Sequence, residues 1–243
     1  MCTVTFIPLE DSVCFASNRD EQLSRPSALM PCNYEIDGKT ILFPKDPQGG
    51  GTWIAAHESG NAVVLLNGAL KAHKSLPPYR KSRGLVVLDV IMDKSPRHHF
   101  LQSDFENIEP FTVILFEKKE LYSGWWDGKE KHLEMLDETE PHIWSSATLY
   151  NSDIVQKRND LFSQWTSINK NPNLDDIIYF HRHAGEEDLQ NVLCLNSDNE
   201  IFTNSISAMQ ITREETRFKY LDLRNGQSSL NNLPRRKMIS VTL

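Results

Sequence analysis

Short runs of β-branched and aromatic residues, separated by turn-forming stretches, recur along this chain and constrain its fold more than any other feature. Thr3 to Ile7 and Val13 to Ser17 flank Pro8-Leu9-Glu10-Asp11-Ser12, which has the composition of a turn, so the chain is expected to open with a β-hairpin. Further extended runs are read at Lys39 to Phe43, Thr52 to Ala56, Ala62 to Leu66, Thr112 to Phe116, Ile143 to Ala147, Asn191 to Leu195, Ile201 to Ser205 and Arg217 to Leu223. Helical spacing relates Leu85, Leu88, Ile91 and Met92, and again Ile154, Arg158, Leu161, Phe162 and Trp165 behind the capping pair Asn151-Ser152. A third helix is expected from Leu174 to His181, with Asp175 and Asp176 at the positive end of its dipole. Sequential hairpins interrupted by helices predict an α+β fold of antiparallel sheets with helices on their outer faces. Asn225 to Arg236 is polar and expected as a loop, and Met238 to Leu243 is read as an edge strand. A chain of 243 residues can bury roughly three quarters of its unfolded surface, so residues 1–243 are expected to form one domain.

Charge narrows the partners. With 26 Lys+Arg against 33 Asp+Glu the net charge is −7, which repels phosphate backbones, and no nucleic-acid partner is expected. No run approaches the ~18 apolar residues of a membrane span, and the first ten residues have no basic leader. Cys2, Cys14, Cys32 and Cys194 match neither a zinc pattern nor a disulfide scaffold, so reduced thiols in a cytoplasmic protein are expected. His98-His99 and His181-Arg182-His183 have no further ligand at a recognisable spacing, so no metal and no cofactor are expected. Gly49-Gly50-Gly51 lacks the Lys-Ser/Thr of a phosphate loop and reads as a tight turn.

The second residue is where chemistry concentrates. Removal of Met1, which a small following side chain permits, would leave Cys2 with a thiol and a free α-amine of pKa about 7.7 to 8.0. Nucleophile and base then reside on one residue. A hairpin turn near Glu10 and Asp11 pairs residues whose numbers sum to about 20 to 22, which sets Cys2 opposite Asn18, Arg19 or Asp20.

These residues resemble the NRDE family, also called the transport and Golgi organisation family, whose naming tetrad stands here as Asn18-Arg19-Asp20-Glu21. The resemblance continues through Arg25-Pro26, Gly50-Gly51-Thr52-Trp53, Leu65-Leu66-Asn67 and Arg83-Gly84. It implies the N-terminal-nucleophile hydrolase superfold, a four-layer αββα sandwich, in which a leading Cys, Ser or Thr attacks an amide. Cholylglycine hydrolases and penicillin V acylases, which also begin Met-Cys, are similar by motif. Carried over, Cys2 is the nucleophile, Arg19 lies near its thiolate, Asp20 sets the orientation and protonation of its amine, and Asn67 donates to the oxyanion. Asn18, Glu21, Trp53 and Ser146 are expected to bind substrate. The implied activity is hydrolysis of a non-peptide amide C–N bond in a small-molecule amide or acyl ligand, with homo-oligomerisation left open. Ser145-Ser146 stands about where the acylases carry a second active-site Asn, and their late Arg has only Arg213 or Arg217 as a substitute. That keeps a second reading: a non-catalytic carrier or chaperone for haem, acyl lipid or acyl-CoA using the same cleft.

Overall fold

The computed structural model describes residues 3–147, 152–186, 193–195 and 201–236. Cys2, Asn151, the first two residues of the run expected at 191–195 and the expected tail strand at 238–243 lie outside the described residues. The strands are β1 (Thr3–Pro8), β2 (Val13–Gln22), β3 (Leu29–Ile36), β4 (Lys39–Lys45), β5 (Ile54–His57), β6 (Ala62–Asn67) and β7 (Phe111–Glu117). They continue with β8 (Glu120–Trp126), β9 (Lys131–Leu136), β10 (His142–Ser145), β11 (Ile201–Ile211), β12 (Glu215–Asp222) and β13 (Ser228–Pro234). The helices are α1 (Arg83–Met92), α2 (Pro96–Gln102), α3 (Ser152–Ile168) and α4 (Leu174–His183).

The opening hairpin forms in the expected register, Thr3 opposite Asn18 and Pro8 opposite Val13. It becomes the centre of a sheet ordered β10-β1-β2-β11-β12-β13, while β3 to β9 meander in sequence order through a second sheet. Every pairing is antiparallel. Strand alternation divides the hairpin's side chains between two layers. Val4, Phe6 and Phe15 join the core between the sheets, where the Phe6 and Phe15 rings lie 6.2 and 5.9 Å from that of Phe116. Ile7, Cys14 and Ala16 face the other way, into a second core with α3 and α4. Helix α4 packs on β2 and β11 and α3 on β10, whereas α1 and α2 pack on β5, β6 and β7. The result is the expected four-layer αββα sandwich.

Several elements depart from expectation. Residues 225–236 were expected as a loop, but β13 pairs with β12 from Leu221 opposite Ser228 to Glu215 opposite Pro234. Its Ser- and Asn-rich sequence is compatible with an edge strand that buries only Leu233. Strands β3, β8 and β9 and the short helix α2 had no clear periodic signal. Helix α1 forms as expected but buries Val86, Val87, Val90 and Ile91, leaving Leu85 and Leu88 only partly covered. Helix α4 starts with a capping box in which the Asn173 side chain accepts from the Asp175 and Asp176 N–H groups. Among the described residues no helix is long and apolar enough to cross a membrane.

Candidate active site

Odd-numbered residues at the end of β2 point into a cleft of about 390 Å³ lined by Arg19, Glu21, Arg25, Asp46, Trp53 and Asn67, among others. Arg19 is 1% exposed. Burying a guanidinium costs several kcal/mol unless it is paired, and two groups supply the pairing. Its Nη2 donates to Asp46 Oδ2 at 2.9 Å, and its Cζ sits 4.9 Å from the centre of the Trp53 ring. Glu21 Oε1 is more distant, 3.9 Å from Nη2.

Asp46 is the hub of this cluster. Its Oδ1 accepts from the backbone N–H groups of Gln48 and Gly49 at 2.9 and 2.8 Å, and its Oδ2 accepts from Arg19 and from Nε and Nη2 of Arg25. Burial pushes its pKa up, but the Gly49 N–H and the two guanidinium groups outweigh that and hold it at about 2. The glycine turn exists for this loop. Gly50 has φ of +71°, and a Cβ on Gly51 would stand 2.2 Å from the carbonyl carbon of Gly84, where Thr52 N donates to Gly84 O at 3.1 Å. The loop therefore rests directly on the start of α1. There Arg83 Nη2 pairs with Glu109 at 3.0 Å, and burial holds the Arg83 pKa below its usual value.

Even-numbered β2 residues point to the helix side. Asn18 donates from Nδ2 to Leu193 O at 2.7 Å and to His181 O at 3.3 Å, leaving Oδ1 as the acceptor for His181 Nδ1 at 2.7 Å. His181 Nε2 then accepts from Thr5 Oγ1 at 2.8 Å. That is the neutral Nδ1–H tautomer, and burial, with a smaller push from Arg158, lowers the His181 pKa to about 3. Asp20 accepts from Thr203 Oγ1 at 2.5 Å on this same side. Asn18, expected to bind substrate, thus has its side-chain oxygen and nitrogen engaged beneath α4.

The two chain segments flanking the start of β1 converge near the cleft. Thr3 pairs with Asn18 on one side and Ser145 on the other, and its hydroxyl accepts from Arg158 Nη1 at 2.7 Å. Ser146 Oγ donates to the backbone carbonyl of Asn67 at 2.6 Å, linking β10 to the end of β6 across the two sheets. Arg19, Glu21, Trp53 and Asn67 are therefore brought to one cleft, Ser146 adjoins it through Asn67, Asn18 lies beneath α4, and Asp20 is tied to Thr203 of β11. Cys2 immediately precedes Thr3 in the sequence. Asp46 and Glu109 were not singled out from the sequence, and His181 stood there only in a His-Arg-His cluster read as holding no metal. Arg25 and Arg83 belong to matched motif segments but carried no assigned role there.

Solved structures similar to the chain include two variants of the conjugated bile acid hydrolase from Clostridium perfringens. Each is 11% identical and aligns over 100% of this chain and 99% of the other, with TM-scores of 0.61 and 0.54. The N-acylethanolamine-hydrolyzing acid amidase ortholog of Caenorhabditis elegans is also 11% identical, over 86% of this chain and 92% of that one, with a TM-score of 0.49. At such identity the likeness concerns the fold, that of the N-terminal-nucleophile hydrolases. No curated protein matches the sequence. The profile described as Transport and Golgi organisation 2 matches residues 1–227, and the chain belongs to that family, the NRDE family of the Asn18-Arg19-Asp20-Glu21 tetrad.

Proposed function

We propose that the chain is a cytoplasmic cysteine N-terminal-nucleophile hydrolase that cleaves a non-peptide amide C–N bond through Cys2 after removal of Met1. The observation that carries the reading is the convergence of Arg19, Asn67 and Ser146 around the start of β1, at a cleft open to a small ligand. Val4 and Phe6 face the same layer as Arg19, and the proposal requires Cys2 to follow that alternation. The α-amine takes the thiol proton, and the thiolate bonds the amide carbon. The Asn67 side-chain amide and a backbone N–H hold the oxyanion, the C–N bond breaks as the departing amine takes the proton, and a thioester remains. Arg19, buried and anchored on Asp46, supplies fixed positive charge beside the thiolate, lowering its pKa. Asp20, tied to Thr203, sets the orientation and protonation of the amine. Trp53 and Glu21 provide an apolar wall and an acceptor for the ligand.

Intact-mass measurement of the purified protein tests the first requirement. The expected mass lacks Met1, and an activated acyl ester adds one acyl group that Cys2→Ala abolishes. A retained Met1 sinks the mechanism. Unchanged binding of an acyl ligand by Cys2→Ala, with no turnover of any amide in an acylase panel, would favour the carrier reading.

A further inference from the structure

Small-molecule pockets are lined predominantly by apolar and aromatic side chains, and this cleft is not. Seven of its lining residues are Arg, Lys, Asp or Glu, and only Leu65, Trp53 and Tyr79 offer large apolar or aromatic surface. An acyl chain laid against such groups would strip their water and return no hydrogen bond, so the cleft suits a hydrophilic ligand. At about 390 Å³ it stands at the small end of the usual range, roughly 300 to 1,000 Å³.

The groups left uncommitted in it are donors. Arg19 and Trp53 are 1% and 3% exposed, and Arg19 Nη1 and Trp53 Nε1 are the buried lining atoms without a hydrogen-bond partner among the described residues. Both atoms donate only. Buried polar atoms are paired in roughly 90% or more of cases, so each calls for an acceptor. The thiolate of the proposed mechanism answers for Arg19, but nothing in that mechanism answers for Trp53 Nε1. The neighbouring carboxylates are already engaged, Asp46 by two backbone N–H groups and two guanidiniums and Glu109 by Arg83.

More donors converge at Gly49. Arg25 gives Nε and Nη2 to Asp46 Oδ2, which leaves its Nη1. Ser82 is the N-cap of α1, yet its side chain makes no cap bond, and the first turn holds no acidic residue. The first N–H groups of a helix have no intrahelical acceptor and carry partial positive charge. A Cβ built on Gly49 would stand 3.3 Å from Arg25 Nη2, 3.5 Å from Ser82 Oγ and 3.7 Å from Asp46 Cγ. Gly49 lacks the positive φ of Gly50, so the backbone does not demand glycine there. Its missing side chain leaves a notch between a guanidinium and an uncapped helix start.

We infer that this notch is a carboxylate subsite and, resting on the reading of the cleft as the substrate site, that the substrate is a small hydrophilic amide bearing a carboxylate. Arg25 donates to one carboxylate oxygen and Ser82 with the first turn of α1 to the other, while Trp53 Nε1 donates to an acceptor on the rest of the ligand. A single negative charge suits the notch. Asp46 borders it and Glu21 shares the cleft, so a phosphate dianion would meet more repulsion.

Calorimetric titration of the full chain carrying Cys2→Ala tests this without turnover. The probes are matched pairs, N-acetylglycine against N-acetylglycinamide and succinamate against succinamide, which place the carboxylate on opposite sides of the amide. At least one pair is expected to favour the acid by about tenfold or more, as a charge-assisted hydrogen bond would. Equal affinities in both pairs, or no binding in either, would overturn the subsite. Gly49→Ala puts a methyl group in the notch against the flexible end of Arg25, and it is expected to remove the preference without lowering the unfolding midpoint. Arg25→Gln is expected to remove it as well and decides the matter should Gly49→Ala be destabilised; a preference that persists would place the anion elsewhere and overturn the assignment. Tighter binding of inorganic phosphate than of either acid would also overturn it. Decanamide is expected to bind no better than acetamide, whereas an apolar tunnel would reward its chain by far more than tenfold and sink the hydrophilic reading. A preference for acids in a native chain that hydrolyses nothing would sink the hydrolase reading alone, and turnover of amides without that preference would sink the subsite alone.

Discussion

Asp46 gathers donors from three directions: the Gln48 and Gly49 N–H groups on one oxygen, and Arg19 and Arg25 on the other. Its removal would leave Arg19 buried without its closest counter-charge, since Glu21 is 3.9 Å away. Breaking a buried pair by deleting one partner costs about 3 to 5 kcal/mol, so Asp46→Asn is expected to lose roughly 3 kcal/mol. Urea unfolding checks this as a fall in midpoint at unchanged slope. Ser146→Ala should cost about 1 kcal/mol through the lost bond to the Asn67 carbonyl, a loss measurable in the same assay. The contrast with the tetrad is instructive. Asn18 to Glu21 were legible because they are contiguous and sit at hairpin distance from the chain start. Asp46 was not, because its guanidinium partners lie 27 and 21 residues away and an Asp before Pro in a glycine-rich segment looks like an ordinary turn residue.

Among elements, the loop between β4 and β5 is held to α1 by a backbone contact that admits no side chain. Gly51→Ala places a Cβ 2.2 Å from Gly84 C and 2.4 Å from Gly84 O, neither of which belongs to a flexible side chain. The loop must then move off the helix, at a cost of about 1 to 3 kcal/mol. The expected outcome is a lowered thermal midpoint together with faster proteolysis at residues 46–52; an unchanged midpoint would refute the contact. The opening hairpin and helices α3 and α4 were legible because local pattern and tertiary placement agree in them. Strands β3 and β13 were not, because both are sheet edges with one face in solvent, so their polar residues carry no burial signal to set the period. Helix α2 spans only seven residues, too few to establish a 3.6-residue repeat. Even in α1 the periodic leucines are not the most buried side chains, since the valines between them turn toward β5 and β6.

At the scale of the whole molecule, the two faces of one hairpin tie acid stability to groups on opposite sides of the first sheet. On the helix side, His181 is neutral and its pKa falls from 6.5 to about 3, chiefly through burial. On the cleft side, Asp46 is ionised and its pKa falls from 3.8 to about 2. Both shifts have the same sign consequence. Between pH 6.5 and about 3 the unfolded chain binds a proton at position 181 that the folded chain refuses, and between 3.8 and about 2 the same holds at position 46. Stability from His181 is therefore fully present above pH 6.5 and declines as pH drops toward 3, at a slope of up to about 1.4 kcal/mol per pH unit. The Asp46 contribution is lost only below 3.8. His181→Gln separates the two. It should be less stable at pH 7, because Thr5 and Asn18 lose well-placed partners, yet its stability should change less between pH 6 and 4 than the wild type's by close to one proton's slope. Ordinary carboxylates titrate in both proteins below pH 5 and cancel in the difference. Denaturant midpoints taken at several pH values give the result directly. Parallel curves across that window would mean that His181 takes up its proton in the folded state, and the neutral network joining Asn18 to α4 would have to be discarded.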